Sequence, residues 1–360
     1  MKFLDLFAGI GGFRLGMESA GHECVGFCEI DKFARKSYKA IHDTKGENEL
    51  HDITEVSDDS IRGIGHVDVI CGGFPCQAFS IAGARRGFED TRGTLFFEIA
   101  RFASILKPRY LFLENVKGLL NHDRGNTFEV ILSALDELGY DVEWQVLNSK
   151  NFGVPQNRER VFIIGHLRGE RTRRIFPLSG QSQSISSQSV VKIGNVNPSG
   201  NGMNGEVYQA DGLAPTLTTN KGEGQKIAIK SNTIKQFGVL QPNFNQCGVV
   251  YKTDGIAPTI RAYQGGGLEP KIIQRGHGYN QGGEHSLAPT LTSNSYHENN
   301  YLSDSFRIRK LTPRECWRLQ GFPDWAFDRA QAVNSNSQLY KQAGNSVTVN
   351  VIAAIAKELK

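Results

Sequence analysis

The sequence predicts an α/β fold: a parallel, doubly wound sheet, joined to a smaller, irregular, β-rich region. Three observations predict it. From residue 1 to about 168, short apolar runs alternate with amphipathic helical stretches, the pattern that right-handed βαβ crossovers require. Residues 179–205 then turn to Ser, Gly, Gln and Asn, a composition that cannot build a core unaided. From Phe306 the apolar periodicity returns.

Taken in order, residues 2–7 (KFLDLF) read as a strand and 11–20 as a helix with Phe13, Met17 and Ala20 on one face. A second strand covers 24–29 and a second helix 31–42. Residues 67–73 (VDVICGG) and 110–115 (YLFLEN) are short apolar runs of the kind buried on both faces of a sheet. Between them, 95–107 is an amphipathic helix ended by Pro108. A further helix at 128–139 is closed by Gly139, and strands follow near 141–148 and 161–166.

After residue 205 the chain repeats itself. GEVYQADGLAPTLT (205–218) matches GVVYKTDGIAPTIR (248–261), and a diverged third copy reads GGEHSLAPTLT (282–292). Each copy centres on [LI]-A-P-T-[LI], and the spacing is irregular, 43 residues from Pro215 to Pro258 and then 31 to Pro289. The expected organisation is a catalytic and cofactor-binding domain at 1–170, a target-recognition domain with the three copies at 171–305, and a closing segment at 306–360. In that segment Thr312-Pro313 open a helix that Gly321 and Pro323 stop. Residues 339–359 read as a loop running into an apolar helix that packs back on the first domain.

The 41 Lys and Arg against 37 Asp and Glu leave a net charge of only +4, which neither demands nor excludes a nucleic-acid partner. No basic stretch precedes a long apolar run, and no window approaches a membrane span. A soluble, cytoplasmic chain is expected. Six scattered cysteines, without CxxC pairs, predict neither a disulfide scaffold nor a metal site.

Asp5 to Gly12 (DLFAGIGG) end a strand and open a helix, where glycines such as Gly9 and Gly11 let a ligand approach the backbone. The GxGxxG pattern of nicotinamide dinucleotide folds is not met, because Arg14 takes the sixth position. Glu29, at the end of the second strand, suits two ribose hydroxyls, and Asp52 an adenine amino group. Together they favour an adenosine ligand. Cys76 follows Pro75 on the loop leaving the fourth strand, placed as a nucleophile that needs its thiolate favoured. Glu114 ends the next strand and faces the same crevice. Arg158 and Arg160, in an extended stretch, point to one side. The plainer reading of Glu114 is a buried ion pair with one of those arginines, and of the arginines a solvated charge run.

These motifs together resemble the DNA (cytosine-5) methyltransferases. DLFAGIGGFRLG, Glu29, His51-Asp52-Ile53, GFPCQAFS, ENV, QNRER, RKLTPRECWRLQGFP and QAGNSV stand in the family's order, and residues from about 170 to 305 take the place of its variable target-recognition region. The resemblance implies a Rossmann-like S-adenosylmethionine-dependent domain and double-stranded DNA as substrate, the cofactor leaving as S-adenosylhomocysteine without a metal. It assigns Phe7, Glu29, Ile30, Asp52, Ile53, Pro75, Leu95, Asn345 and Val347 to the cofactor pocket. To chemistry on the base it assigns Cys76, Glu114, Arg158 and Arg160. Ser80 and Arg92 belong on a catalytic loop that closes over DNA.

The repeat copies suit DNA contact through Thr216, Thr259 and Thr290. Arg168, Arg171, Arg173 and Arg174, and Arg307, Arg309 and Lys310, are candidates for phosphates. A monomer is expected, with any restriction endonuclease acting separately. Two rival functions remain at this point: an RNA cytosine-5 methyltransferase, against which the long repeat-bearing insert speaks, and a non-catalytic DNA-binding regulator, which has no use for an activated thiol.

Overall fold

The computed structural model describes residues 1–75, 95–179, 190–195, 206–209, 213–217, 226–230, 236–239, 249–251, 272–274, 283–285, 300–302 and 306–360. The chain divides into two compact units. The first comprises Met1–Val190, Leu213–Gly222 and Thr312–Lys360, and the second Val191–Gly212 and Glu223–Leu311. The division differs from cuts near 170 and 305: the stretch to Val190 stays with the first unit, and the chain returns to it briefly at Leu213–Gly222.

The first unit is built on seven strands: β1 (Lys2–Leu6), β2 (Glu23–Cys28), β3 (Asn48–Leu50), β4 (Val69–Gly73), β5 (Tyr110–Val116), β6 (Tyr140–Asn148) and β7 (Glu159–Leu167). Their order is β3-β2-β1-β4-β5-β7-β6. The five strands from β3 to β5 pair in parallel. They alternate with helices α1 (Gly12–Ser19), α2 (Lys32–Ile41), α3 (Asp58–Gly63) and α4 (Leu95–Leu106), and α5 (Asn126–Glu137) follows β5. The wholly parallel sheet that the alternation predicts stops there, because β7 lies between β5 and β6 and runs antiparallel to both. No helix of crossover length separates β6 from β7, only the short 3-10 turn Ser149–Phe152, and without a crossover two neighbouring strands run antiparallel.

Alternating side chains supply a core to each face of this sheet. Leu4, Leu6, Ile70, Leu111, Leu113 and Ile163 pack with Phe96, Ile99 and Ala103 of α4. Phe3, Val69, Cys71, Tyr110, Phe112 and Ile164 pack with Phe13 and Met17 of α1. The chain's last 49 residues, Thr312 to Lys360, form α6 (Pro313–Leu319), α7 (Asp324–Gln331), α8 (Asn336–Asn345) and α9 (Val349–Ala356). Thr312 caps α6 in a box with Glu315, and Pro313 occupies its first turn. The stretch read as a loop before the last helix is itself helical, as α8. From α9, Val351, Ile352 and Ile355 join the second core. A Cβ on Gly16 of α1 would fall 2.5 Å from Ile352 Cγ2, so α1 and α9 meet closely because position 16 has no side chain.

The second unit contains β8 (Lys192–Asn195), β9 (Glu206–Gln209), β10 (Lys226–Lys230), β11 (Gln236–Val239), β12 (Val249–Tyr251), β13 (Ile272–Gln274), β14 (Gly283–His285), β15 (Asn300–Leu302) and β16 (Phe306–Lys310). They form sheets ordered β16-β10-β9-β8, β11-β12 and β14-β13-β15. All of these pairs are antiparallel except β9 with β10.

Candidate functional site

A cavity of about 650 Å³ opens at the carboxyl ends of the parallel strands of the first unit, the place where an open α/β sheet leaves a crevice between diverging loops. Phe7, Gly9, Glu29, Ile30, Asp52, Ile53, Pro75, Leu95 and Asn345 line it, as do Glu114, Arg158, Arg160 and Thr216. Gly11 and Val347, expected in the cofactor pocket, do not. Gly11 faces the ring of His42, and Val347 is buried in the core behind the loop. Cys76, Ser80, Arg92, Thr259 and Thr290 lie outside the described residues.

At one end, the turn after β1 folds back through left-handed residues, with φ of 55° at Phe7, 57° at Gly9 and 84° at Gly11. A Cβ at Gly9 would touch nothing within 4 Å, so the space above Gly9 is open to a ligand. The Gly9 N–H donates to Glu29 Oε2 at 2.8 Å and the Asp31 N–H to Oε1 at 2.7 Å. Burial pushes the Glu29 carboxyl up from its ordinary range, and these two amides pull it back down. Each carboxylate oxygen still has a lone pair for a ligand hydroxyl. Asp52 caps a 3-10 turn by accepting from Thr54 N and Oγ1 at 3.0 and 2.7 Å, which holds its carboxyl below the usual range. Ile30 is 65 % exposed although it lines a cavity. An apolar side chain presented beside two carboxylates matches the flat face and polar edge of a nucleoside.

At the other end, Glu114 on β5 is buried among guanidinium groups. Its strand partner is Gly73, where a Cβ would fall 3.1 Å from Glu114 Oε2; glycine there makes the room the carboxyl occupies. Arg160 Nε lies 2.9 Å from Oε1, an ion pair, but without the alignment of a hydrogen bond, and Oε1 has no hydrogen-bond donor. Burial raises the Glu114 pKa, against the opposing pull of Arg160 and Arg158. Arg158 is itself buried and donates to the carbonyls of Leu217 at 3.4 Å, Gly344 at 3.3 Å and Ser346 at 2.8 Å. Burial and then Arg160 bring its pKa down to about 9, so it remains charged at neutral pH. Asn115 donates to the Phe74 carbonyl at 2.9 Å and thereby fixes the chain just before Pro75.

Thr216 comes from the first repeat copy. Asn157 N–H donates to Ala214 O and Ala214 N–H to Pro155 O, both at 2.8 Å. Thr216 Oγ1 donates to Asn157 O at 2.8 Å, and Leu213 and Leu217 are buried. The residue expected to touch DNA is thus stitched to the QNRER segment. The sequence reading missed Asp31, Lys341 and Gln342, which also line the cavity. Lys341 reaches Asp31 Oδ2 at 2.6 Å; the signal for Lys341 and Gln342 was QAGNSV, which Gln342 opens and Lys341 precedes. Of the arginines expected on phosphates, Arg168 pairs with Asp136 and Asp141, Arg173 with Glu358 and Arg174 with Glu143. Their charges are answered within the chain.

The sequence profile of the C-5 cytosine-specific DNA methylases matches residues 1–360. The chain is 36 % identical to the orphan methyltransferase M.SPRI of Bacillus phage SPR, over 100 % of its own length and 97 % of that protein's. It is 37 % identical to the type II methyltransferase M.HhaI of Haemophilus parahaemolyticus, over 99 % and 93 %. Its fold superposes on the Entamoeba histolytica methyltransferase EhMeth with a TM-score of 0.60 at 16 % identity, covering 99 % of this chain and 97 % of the other.

Proposed function

Since the chain belongs to the C-5 cytosine-specific DNA methylases, we propose that it methylates carbon 5 of a cytosine flipped out of a specific double-stranded DNA sequence, through a transient bond from Cys76 to carbon 6. The observation that carries this reading is Glu114: a buried carboxyl with an oxygen lacking a donor, flanked by two guanidinium groups, in one cavity with a nucleoside-shaped end. Phe7, Glu29, Ile30 and Asp52 would hold S-adenosylmethionine. The cofactor supplies an electrophilic methyl group and leaves as S-adenosylhomocysteine.

The remaining work falls to the protein. A stacked base is out of reach, so the cytosine is extruded at a cost of about a few kcal/mol. The Cys76 thiolate adds to carbon 6, and the ring's electron pair shifts toward nitrogen 3, leaving carbon 5 nucleophilic. Glu114, protonated more readily than an ordinary carboxyl, donates to nitrogen 3 and accepts from the exocyclic amine, which stabilises the charge that develops. Arg160 holds the carbonyl oxygen at position 2. After methyl transfer a base takes the carbon-5 proton, and the electron pair returns to expel Cys76 as thiolate. Ser80 and Arg92 close over the DNA, with Thr216, Thr259 and Thr290 toward its base edges. The enzyme works as a cytoplasmic monomer that protects DNA from restriction, any endonuclease acting apart.

Bisulfite sequencing of DNA from cells expressing the chain should show 5-methylcytosine in one fixed sequence context. A duplex carrying 5-fluorocytosine in that context, given S-adenosylmethionine, should become covalently attached at Cys76. Cys76→Ser should abolish turnover and trapping while still binding S-adenosylhomocysteine. Methylation that persists in Cys76→Ser would refute the adduct.

A further inference from the structure

Resting on the cofactor reading above, we propose that His42 is a positioning residue for the cofactor loop, and that Gly11 is a glycine on account of His42 rather than of the ligand. The loop from Phe7 to Gly11 holds three left-handed residues in five. Glycine adopts that conformation freely, but Phe7 does so against the clash of its Cβ with the backbone. Such strain persists only where the surroundings fix it. Backbone bonds fix it on one side: Ala8 N–H to Cys28 O at 3.0 Å, Gly9 N–H to Glu29 and Gly11 N–H to Ala8 O at 2.8 Å.

His42 fixes it on the other. A Cβ on Gly11 would fall 2.1 Å from His42 Nε2 and 2.9 Å from Cδ2, so the imidazole lies directly against the α-carbon of Gly11. The ring's Nε2 has no hydrogen-bond partner, so His42 meets the loop by packing. His42 sits just after α2, its N–H bonded to Tyr38 O at 2.9 Å. Its ring is 4.7 Å from that of Tyr38, which in turn stacks on Phe27 at 4.2 Å. Arg14 lies 5.5 Å from the centre of the Tyr38 ring, tied down by Glu18 and Glu47. Phe27, Tyr38 and His42 thus form an aromatic column, footed in the core on β2 and topped by the loop. His42 does not line the cavity, so it acts through Gly11. Removing the column's top leaves the strained turn free to relax, and Gly9, whose amide meets Glu29, relaxes with it.

The test measures binding of S-adenosylhomocysteine by calorimetry, beside methyl transfer. Wild type must bind first; if it does not, the cofactor reading itself has failed. His42→Ala should weaken binding about tenfold, with kcat at saturating cofactor falling less than threefold. His42→Phe should bind close to wild type, since a ring of similar shape keeps the packing. Gly11→Ala should bind poorly, and Gly11→Ala/His42→Ala better than Gly11→Ala alone, because the clash is gone. A role confined to folding would lower the melting temperature and the active fraction but leave the affinity of the folded protein unchanged. Unchanged affinity in His42→Ala, or no relief in the double variant, overturns the proposal.

Discussion

At one end of the cavity Glu29 accepts from two backbone amides, whereas at the other Glu114 faces two guanidinium groups and keeps an oxygen with no donor. Burial raises both carboxyls, so desolvation alone does not tell them apart. What differs is the completeness of their partners. Glu29 is already satisfied by the loop it braces, and a ligand adds to a finished arrangement. Glu114 is held among charges that attract it without bonding it well, so the missing donor must come from whatever enters.

The sharpest way to break this contrast is a pair of substitutions. Glu114→Gln should lower kcat by about a hundredfold or more, with the Kd for S-adenosylhomocysteine moving less than threefold. Glu29→Gln should do the reverse, weakening cofactor binding about tenfold at nearly constant kcat, as calorimetry and steady-state kinetics would register. If both variants moved the same parameter, the two ends would not be functionally separate. Next in size is Gly12→Ala: its Cβ would fall 2.8 Å from Ser346 Oγ and Val347 Cγ2. Overpacking of that kind costs about 1–3 kcal/mol, visible as a lower denaturant midpoint.

Acid should reveal the column beneath the loop. His42 is pushed down to about 3, first by burial and then by the charge of Arg14, with Arg329 adding to it. The unfolded chain takes up the proton near pH 6.5 and the folded chain does not, so folding stability from this group is complete above 6.5. It falls as pH drops toward 3, by up to about 1.4 kcal/mol per pH unit. Denaturant melts at pH 7, 6 and 5 should show that slope in wild type and a shallower one in His42→Phe. The smallest effect is expected of Lys341→Met. Its pair with Asp31 is half-exposed, worth less than about 1 kcal/mol, so the KM for cofactor should rise two- to fivefold, and less at high salt.

The parallel half of the sheet was legible because strands buried on both faces read as unbroken apolar runs, as in VICGG and YLFLENV. The Thr312 cap was legible because its chemistry is local. The antiparallel insertion of β7 was not, since its place depends on pairing across β5 and β6 rather than on its own residues. Helix α8 was hidden by Gly344 and Asn345 near its end, which read as loop. Gly9 and Gly11 look alike in one motif, yet one opens toward the cavity and the other toward His42; only the fold distinguishes them. Glu114, Arg158 and Arg160 were found because strand alternation and strand ends fix where such side chains point.

The return of the chain to the first unit at Leu213–Gly222 makes the long insert two excursions rather than one. Val191–Gly212 and Glu223–Leu311 each leave from and rejoin the same body, fastened between them by Ala214 and Thr216 on the Pro155–Asn157 rail. The two excursions meet again in one sheet, β8 and β9 of the first beside β10 and β16 of the second. They are therefore exchanged together, with residues 213–217 kept, and a transplant that cuts through Ala214 removes a wall of the cavity along with the loops.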